Sequence, residues 1–387
     1  MRHSLFLIND FDPNYFVGGT EKATLELIDK LASIGISNIR SIYIHTNKLE
    51  FRPRWKSPFN MIQLLIRVLF RITDGLSHMI PFRTGLMLMR VMIEKPSVII
   101  IMNDRHLSLM IIIFLRLIKR KTVTFKYLHD LSGSCLFGTR NIHGKNCEKV
   151  CFKCKGKLKL YRFRLSLYDH RIYNSKFTKN IFDAQKVKVN KNVPKVVYPI
   201  LNYVFKAPEI RHDRTDVLRI GIFGKITPGK GRLNLIKFLL RLNFSKRIVL
   251  AGEIFDSEVI EILKSRANVG GIEYIGVVNE IQFCEKVDCV VIYPRNFEGF
   301  GRTVVEMSSK GLPVFVSNKG GLSDAILFAR EKGGLIFDVD SFEDLETKLK
   351  NFLNLDFTFL LQGKTTYDKE IYNLETFAIY ISGILYE

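Results

Sequence analysis

Residues 219–239 read RIGIFGKITPGKGRLNLIKFL. The opening RIGIFG is a short apolar run, and the closing LNLIKFL carries apolar residues at helical spacing. Glycines, a proline and two lysines separate them, so the stretch reads as strand, turn and helix. The same unit recurs along the second half of the chain, with strands at LRIGIFG (218–224), KRIVLAG (246–252), GIEYIGVV (271–278), CVVIYP (289–294), PVFVSN (313–318) and GLIFD (334–338). Each is followed by a stretch long enough for a helix. Strand–helix alternation with near-continuous apolar strands implies a parallel sheet covered on both faces.

The first half repeats this pattern more loosely. SLFLIN (4–9), RSIYIHT (40–46), SVIIIMN (97–103), TVTFKYLHD (122–130) and HRIYNS (170–175) read as strands, and TEKATLELIDKLASIG (20–35) as an amphipathic helix ending at Gly35. LSLMIIIFLRLIKRK (107–121), between two strands, reads as core. At 387 residues the chain exceeds one ordinary core. The expected fold is therefore α/β, with two Rossmann-like domains facing each other across a cleft. The division falls after VVYPIL (196–201), giving domains 1–200 and 201–387, with the last helix a candidate to pack back on the first domain. Ligands of such sheets bind at the carboxyl ends of the strands.

Charge is distributed unevenly. Of the formal net +21, residues 1–200 carry 35 Lys and Arg against 13 Asp and Glu, while residues 201–387 carry 24 against 25. A basic half suits a polyanionic partner. Helix-turn-helix, zinc-finger and RNA-binding strand signatures are missing from it, so an anionic membrane surface is expected rather than nucleic acid. FNMIQLLIRVLFRI (59–72), with Arg67 and Arg71 among apolar residues, reads either as an interfacial helix or as a buried one. The apolar run Leu109–Leu115 is far short of the ~20 residues that cross a bilayer, and MRHSLFLIND reaches an acidic residue too early for a secretory signal. The expected location is cytoplasmic, peripheral on the membrane face.

Two stretches carry candidate chemistry. After strand 218–224, Lys225 and Lys230 lie in a glycine-rich turn that opens a helix, where backbone N–H groups and cations suit a diphosphate. The stretch is not a P-loop, and an ordinary turn with solvated lysines is the alternative. After strand 289–294, NFEGFGRTVVEMSSKGLPVFVS places Glu298 at the strand end, Gly299 and Gly301 at a helix start, and Glu306 about two turns along that helix. Carboxylates are good acceptors for vicinal hydroxyls, one suiting a hexose and the other a ribose; two solvated helix charges are the plain alternative.

Taken in order, these pieces resemble the retaining glycosyltransferases of family 4, which have the GT-B fold. The resemblance rests on GK..PGKG, EGFGRTVVE and KGGLSDAI (319–326), and on VGGTEKATLELIDKLASIG (17–35), YLHD (127–130), IYNSKFTKNIF (172–182) and VVYP (196–199). It implies that Glu298 contacts the donor sugar and Glu306 the ribose, within a donor loop that includes Gly299, Phe300, Gly301 and Thr303. It further implies that Lys230 binds phosphate, that Gly18 and Gly19 approach the diphosphate from the first domain, that His129 faces the transferred sugar, and that Asp130 serves the acceptor side. Lys225 stands where the family usually has Arg, and Asp324 where Glu is common.

The activity so implied is retaining, metal-independent hexosyl transfer from a nucleotide-sugar, UDP before GDP, to a glycan or lipid-linked acceptor in surface polysaccharide synthesis. No cofactor is required for it. A sugar-nucleotide epimerase of the same fold and a non-catalytic nucleotide-sugar-binding protein are the rival readings. Cys135, Cys147, Cys151 and Cys154 follow the HD motif with spacing C-x11-C-x3-C-x2-C, which fits a structural zinc or unliganded thiols. Cys284 and Cys289 read as core.

Overall fold

The computed structural model describes residues 4–11, 18–45, 89, 91–103, 109–118, 122–135, 141–142, 145–147, 154–183, 196–200, 203–207, 217–266, 271–354 and 371–386. The stretch 59–72 and Cys151 lie outside them. Two parallel sheets form the frame. The first has seven strands in the order β15-β8-β7-β4-β3-β1-β2: β1 Leu5–Phe11, β2 Ile39–His45, β3 Val98–Ile101, β4 Val123–Leu128, β7 His170–Tyr173, β8 Val196–Tyr198 and β15 Ile371–Asn373. The second has six, in the order β11-β10-β9-β12-β13-β14: β9 Leu218–Phe223, β10 Lys246–Ala251, β11 Ile272–Tyr274, β12 Cys289–Ile292, β13 Val314–Ser317 and β14 Ile336–Val339. A two-residue antiparallel pair, β5 Asn141–Ile142 with β6 Lys145–Asn146, stands apart.

Helices α1 Gly19–Ser33, α2 Leu109–Ile118, α3 Lys155–Ser166, α4 Lys176–Asp183 and α11 Leu374–Tyr386 accompany the first sheet. The second is accompanied by α5 Arg232–Arg241, α6 Ser257–Arg266, α7 Glu280–Cys284, α8 Arg302–Ser309, α9 Leu322–Glu331 and α10 Phe342–Leu353. The central strands of each sheet are buried on both faces, in keeping with their near-continuous apolar runs, whereas the edge strand β11 is exposed at Glu273 and Tyr274. Leu5, Leu7, Val98 and Ile100 face one core of the first sheet, and Phe6, Ile8, Ile99 and Ile101 the other. The second sheet alternates likewise, Val249 and Ala251 against Ile248 and Leu250.

The chain's end returns to the first sheet. Strand β15 pairs in parallel with β8, and Leu374, Phe377, Ala378, Ile381 and Leu385 of α11 share a core with Leu27 and Leu31 of α1. Nothing in YNLETFAIYISG marks a strand at its start; Ile371–Asn373 is short, and its pairing depends on a partner far away in sequence. Helix α2 is core on one side only, with Ile112 and Leu115 buried but Phe114 and Leu117 exposed. Both sheets reverse strand order beside their first strand, at β1/β3 and at β9/β12. Such reversals splay the following loops apart and leave a crevice at the strands' carboxyl ends.

Candidate functional site

A cleft of about 990 Å³ runs between the two crevices. The loop after β1 brings Gly18 and Gly19 to it, β4 brings His129, β9 brings Lys225 and Lys230, and β12 brings Glu298, Gly299, Phe300, Gly301, Thr303 and Glu306. Eleven of the twelve candidate donor- and acceptor-site residues thus meet in one cavity. Asp130, next to His129, is not among its lining residues.

On the second-sheet side, Lys230 Nζ lies 3.8 Å from Glu298 Oε1, and Lys225 Nζ lies 3.2 Å from Glu253 Oε2. All four side chains remain partly exposed to the cleft. Arg232, which the sequence reading passed over, also lines it. Burial pushes its guanidinium down to about 10, with Glu298 acting the other way. Glu298 is held by backbone pairing rather than by a regular strand: it bridges to Gly320, and Gly321 N donates to its carbonyl at 2.9 Å.

Glu306 is the most enclosed of the candidates. Its Oε1 accepts from Arg302 Nε at 3.2 Å, one turn back on α8, and from Lys22 Nζ at 2.9 Å, in the first turn of α1 on the opposite wall. Lys22 also pairs with Glu280 at the start of α7. Arg302 reaches on to Glu26 Oε1 at 2.6 Å, to Tyr203 Oη at 3.4 Å and to the Pro199 carbonyl. Burial alone would raise the Glu306 carboxyl; Arg302 and Lys22 outweigh it and hold the group below the ordinary carboxylate range, ionised at neutral pH. Helix α8 begins at Arg302, not near Gly299, so Glu306 is one turn along it rather than two. The cause is Gly301, whose φ of +95° is closed to L-residues and to the helix alike.

The two walls touch beside the sugar candidates. Asn174 Nδ2 donates to the His129 carbonyl at 2.6 Å, and Gly299 packs so closely there that a Cβ would fall 2.4 Å from the same oxygen. A glycine is needed by this approach. His129 Nε2 is buried without a hydrogen-bond partner. Burial, with Lys126 and Arg302 adding to it, keeps the ring well below the usual histidine range, so it is neutral at pH 7. Asp324 also spans the walls: it accepts from the backbone N–H of Lys176 and Phe177, both at 3.2 Å, and from Tyr198 Oη at 2.9 Å. It thereby caps α4 from α9, which ties the IYNSKFTKNIF and KGGLSDAI stretches into one structural unit.

The cysteines divide. Cys135 and Cys154 are buried with their sulfurs 3.8 Å apart, and Cys147 is half-buried. Among the described residues no three His, Cys, Asp or Glu side chains converge as a metal site. Cys289 is core, as expected, whereas Cys284 is only half-buried, because it ends α7 rather than entering β12. No helix among the described residues is long and apolar enough to cross a membrane.

Sequence reading missed Lys22, Arg302, Asn174, Glu280 and Arg232. Lys22 and Arg302 stand inside quoted motifs, GGTEK and GFGRTVVE, where a cation near a glycine turn is the only available signal. Asn174 and Glu280 carry none: Asn174 meets the His129 carbonyl only because β4 and β7 lie side by side, and the partner of Glu280, Lys22, comes from the opposite wall.

Residues 205–358 match a family model described as glycosyl transferases group 1. An uncharacterized 42.6 kDa protein in the cps region of Klebsiella pneumoniae is 31% identical over 148 residues, which is 36% of this chain and 38% of that relative. The match therefore spans well under half of either protein. Anabaena Alr3699/HepE, solved in complex with UDP and glucose, superposes with a TM-score of 0.62 over 99% of both chains at 14% identity. The lipopolysaccharide outer core galactosyltransferase WaaB, in its apo form, gives 0.55 over 91% of both at 14%. At these identities the likeness is one of fold, the GT-B arrangement of two facing α/β units.

Proposed function

We propose that this chain is a glycosyltransferase that moves a hexose-type sugar from a nucleoside-diphosphate sugar to a glycan or lipid-linked acceptor in surface polysaccharide synthesis. One observation carries the reading: Glu298, Glu306, Lys225 and Lys230 from one sheet and Gly18, Gly19 and His129 from the other line a single cleft. The match to group 1 glycosyl transferases over the second sheet, and the relative in a cps region, support it. The likeness to a protein solved with UDP and glucose favours a uridine donor.

In this reading Glu306 accepts from the ribose and Glu298 from the sugar, while Lys225, Lys230 and the N–H groups at the start of α8 meet the diphosphate. Transfer retains configuration. The acceptor hydroxyl attacks the anomeric carbon on the face from which the diphosphate departs, the bond from that carbon to the phosphate oxygen breaks, and the hydroxyl proton passes to the departing oxygen. Negative charge builds on the leaving group, where fixed cations supply several kcal/mol of stabilisation, so the step runs without a metal ion. Neutral His129 orients a sugar hydroxyl by hydrogen bonding. The basic first half holds the protein to an anionic membrane face, where a lipid-linked acceptor lies.

Purified protein incubated with UDP-hexoses and a lipid-pyrophosphate-linked acceptor in EDTA tests this. Transfer is expected for the unaltered chain and loss of it, with fold retained by circular dichroism, for Lys230→Ala and Glu306→Ala. Full activity in both variants would refute the site. Conversion of donor to an epimer without acceptor would establish the epimerase reading instead.

A further inference from the structure

The Glu306 carboxylate, assigned above to the ribose, is already half occupied. An oxygen has two lone pairs, and those of Oε1 are taken by Lys22 Nζ and Arg302 Nε. Its partner oxygen, Oε2, has no hydrogen bond within the described residues, and the side chain lines the cleft. A vicinal diol presents two hydroxyls, and with Oε1 occupied Glu306 can no longer take one on each of its oxygens.

Lys22 supplies the missing contact. Its ammonium carries three N–H donors, of which Glu306 and Glu280 engage two. The third remains, on a residue that lines the same cavity. Arg302 is less available, because four of its five N–H donors go to Glu306, Glu26, Tyr203 and the Pro199 carbonyl and its side chain is buried. Two carboxylates beside Lys22 cancel its charge locally, which suits a neutral hydroxyl rather than a diphosphate. They also keep it protonated: burial would lower its pKa, but Glu306 and Glu280 raise it above the ordinary lysine value.

We propose that Lys22 is a nucleotide-binding residue that reads one ribose hydroxyl from across the cleft while Glu306 reads the other, making the site selective for ribonucleotides over 2′-deoxyribonucleotides. One hydroxyl donates to Glu306 Oε2 and its neighbour accepts from Lys22 Nζ. The inference rests on the donor-site reading above. Ribose recognition is then shared between the two walls, so a bound nucleotide draws α1 and α8 together.

Calorimetric titration with UDP and 2′-deoxy-UDP, and in parallel with GDP and 2′-deoxy-GDP, tests it. The unaltered chain is expected to prefer the ribonucleotide about tenfold or more. Lys22→Met should still bind the ribonucleotide, more weakly, with the preference reduced to about threefold or less, and Lys22→Arg should restore much of it. A purely structural role for Lys22 would weaken both nucleotides equally; an unchanged ratio in Lys22→Met overturns the proposal. Should Lys22→Met melt below the assay temperature, Lys22→Gln is read by the same ratio. Binding of no nucleoside diphosphate by the unaltered chain would overturn the donor-site reading, and this inference with it.

Discussion

Arg302 shows how one side chain can serve both stability and the site. It is 9% exposed and holds two carboxylates, Glu306 on its own helix and Glu26 on the opposite wall. Removing it leaves buried Glu306 with Lys22 as its remaining cation and half-buried Glu26 without its Arg302 partner; breaking a buried pair typically costs up to about 3–5 kcal/mol. Arg302→Met should therefore lower the unfolding free energy by a few kcal/mol at neutral pH, as read by urea unfolding; a loss under about 1 kcal/mol would mean that the network is solvated rather than buried. Among the candidate phosphate-binding residues, Lys225 has less support than Lys230. It pairs with Glu253, not a candidate ligand residue, and half-buried Arg232 stands close by with the planar guanidinium that Lys225 lacks.

At the scale of elements, the cleft depends on helix starts. Helix α8 begins immediately after Gly301, and α4 begins with its first amides bonded to Asp324 of α9. Asp324→Ala removes a cap that also accepts from buried Tyr198, at a cost of about 1–3 kcal/mol. Hydrogen exchange at the amides of Lys176 and Phe177 should accelerate at least about tenfold, with α10 unaffected as a control. Unchanged exchange at α4 would mean that Asp324 does not hold the two walls. Burial raises the Asp324 carboxyl, and its hydrogen bonds to Tyr198, Phe177 and Lys176 oppose this without overcoming it.

Much of this was legible in the sequence, and the reasons are local. Strands such as LRIGIFG and CVVIYP are almost wholly apolar because helices cover both of their faces, and their glycine-rich exits announce the loops that bear Lys230 and Glu298. The start of α8 was misplaced because a glycine at positive φ ends a loop rather than opening a helix, and nothing in EGFGRT says which of its glycines does so. Strand β15 and the role of Lys22 were hidden for another reason. Both depend on partners more than 170 residues away, Val196 for Ile371 and Glu306 for Lys22.

At the scale of the whole molecule, α11 crosses back from the end of the chain to α1, with Lys30 paired to Glu375, while Arg302, Lys22 and Asp324 join the walls of the cleft. A ligand seated there touches both sheets and adds its binding energy to the folded state alone. Saturation at a hundred times Kd contributes about 2.7 kcal/mol. The most direct measurement is the melting temperature of the full chain alone and with UDP, GDP, UDP-glucose, UDP-galactose or GDP-mannose. A nucleotide-sugar cleft requires that at least one of the two nucleotide series raise it by a few degrees in a concentration-dependent manner, UDP before GDP. No shift with any of the five ligands, at concentrations up to the millimolar range, would contradict it.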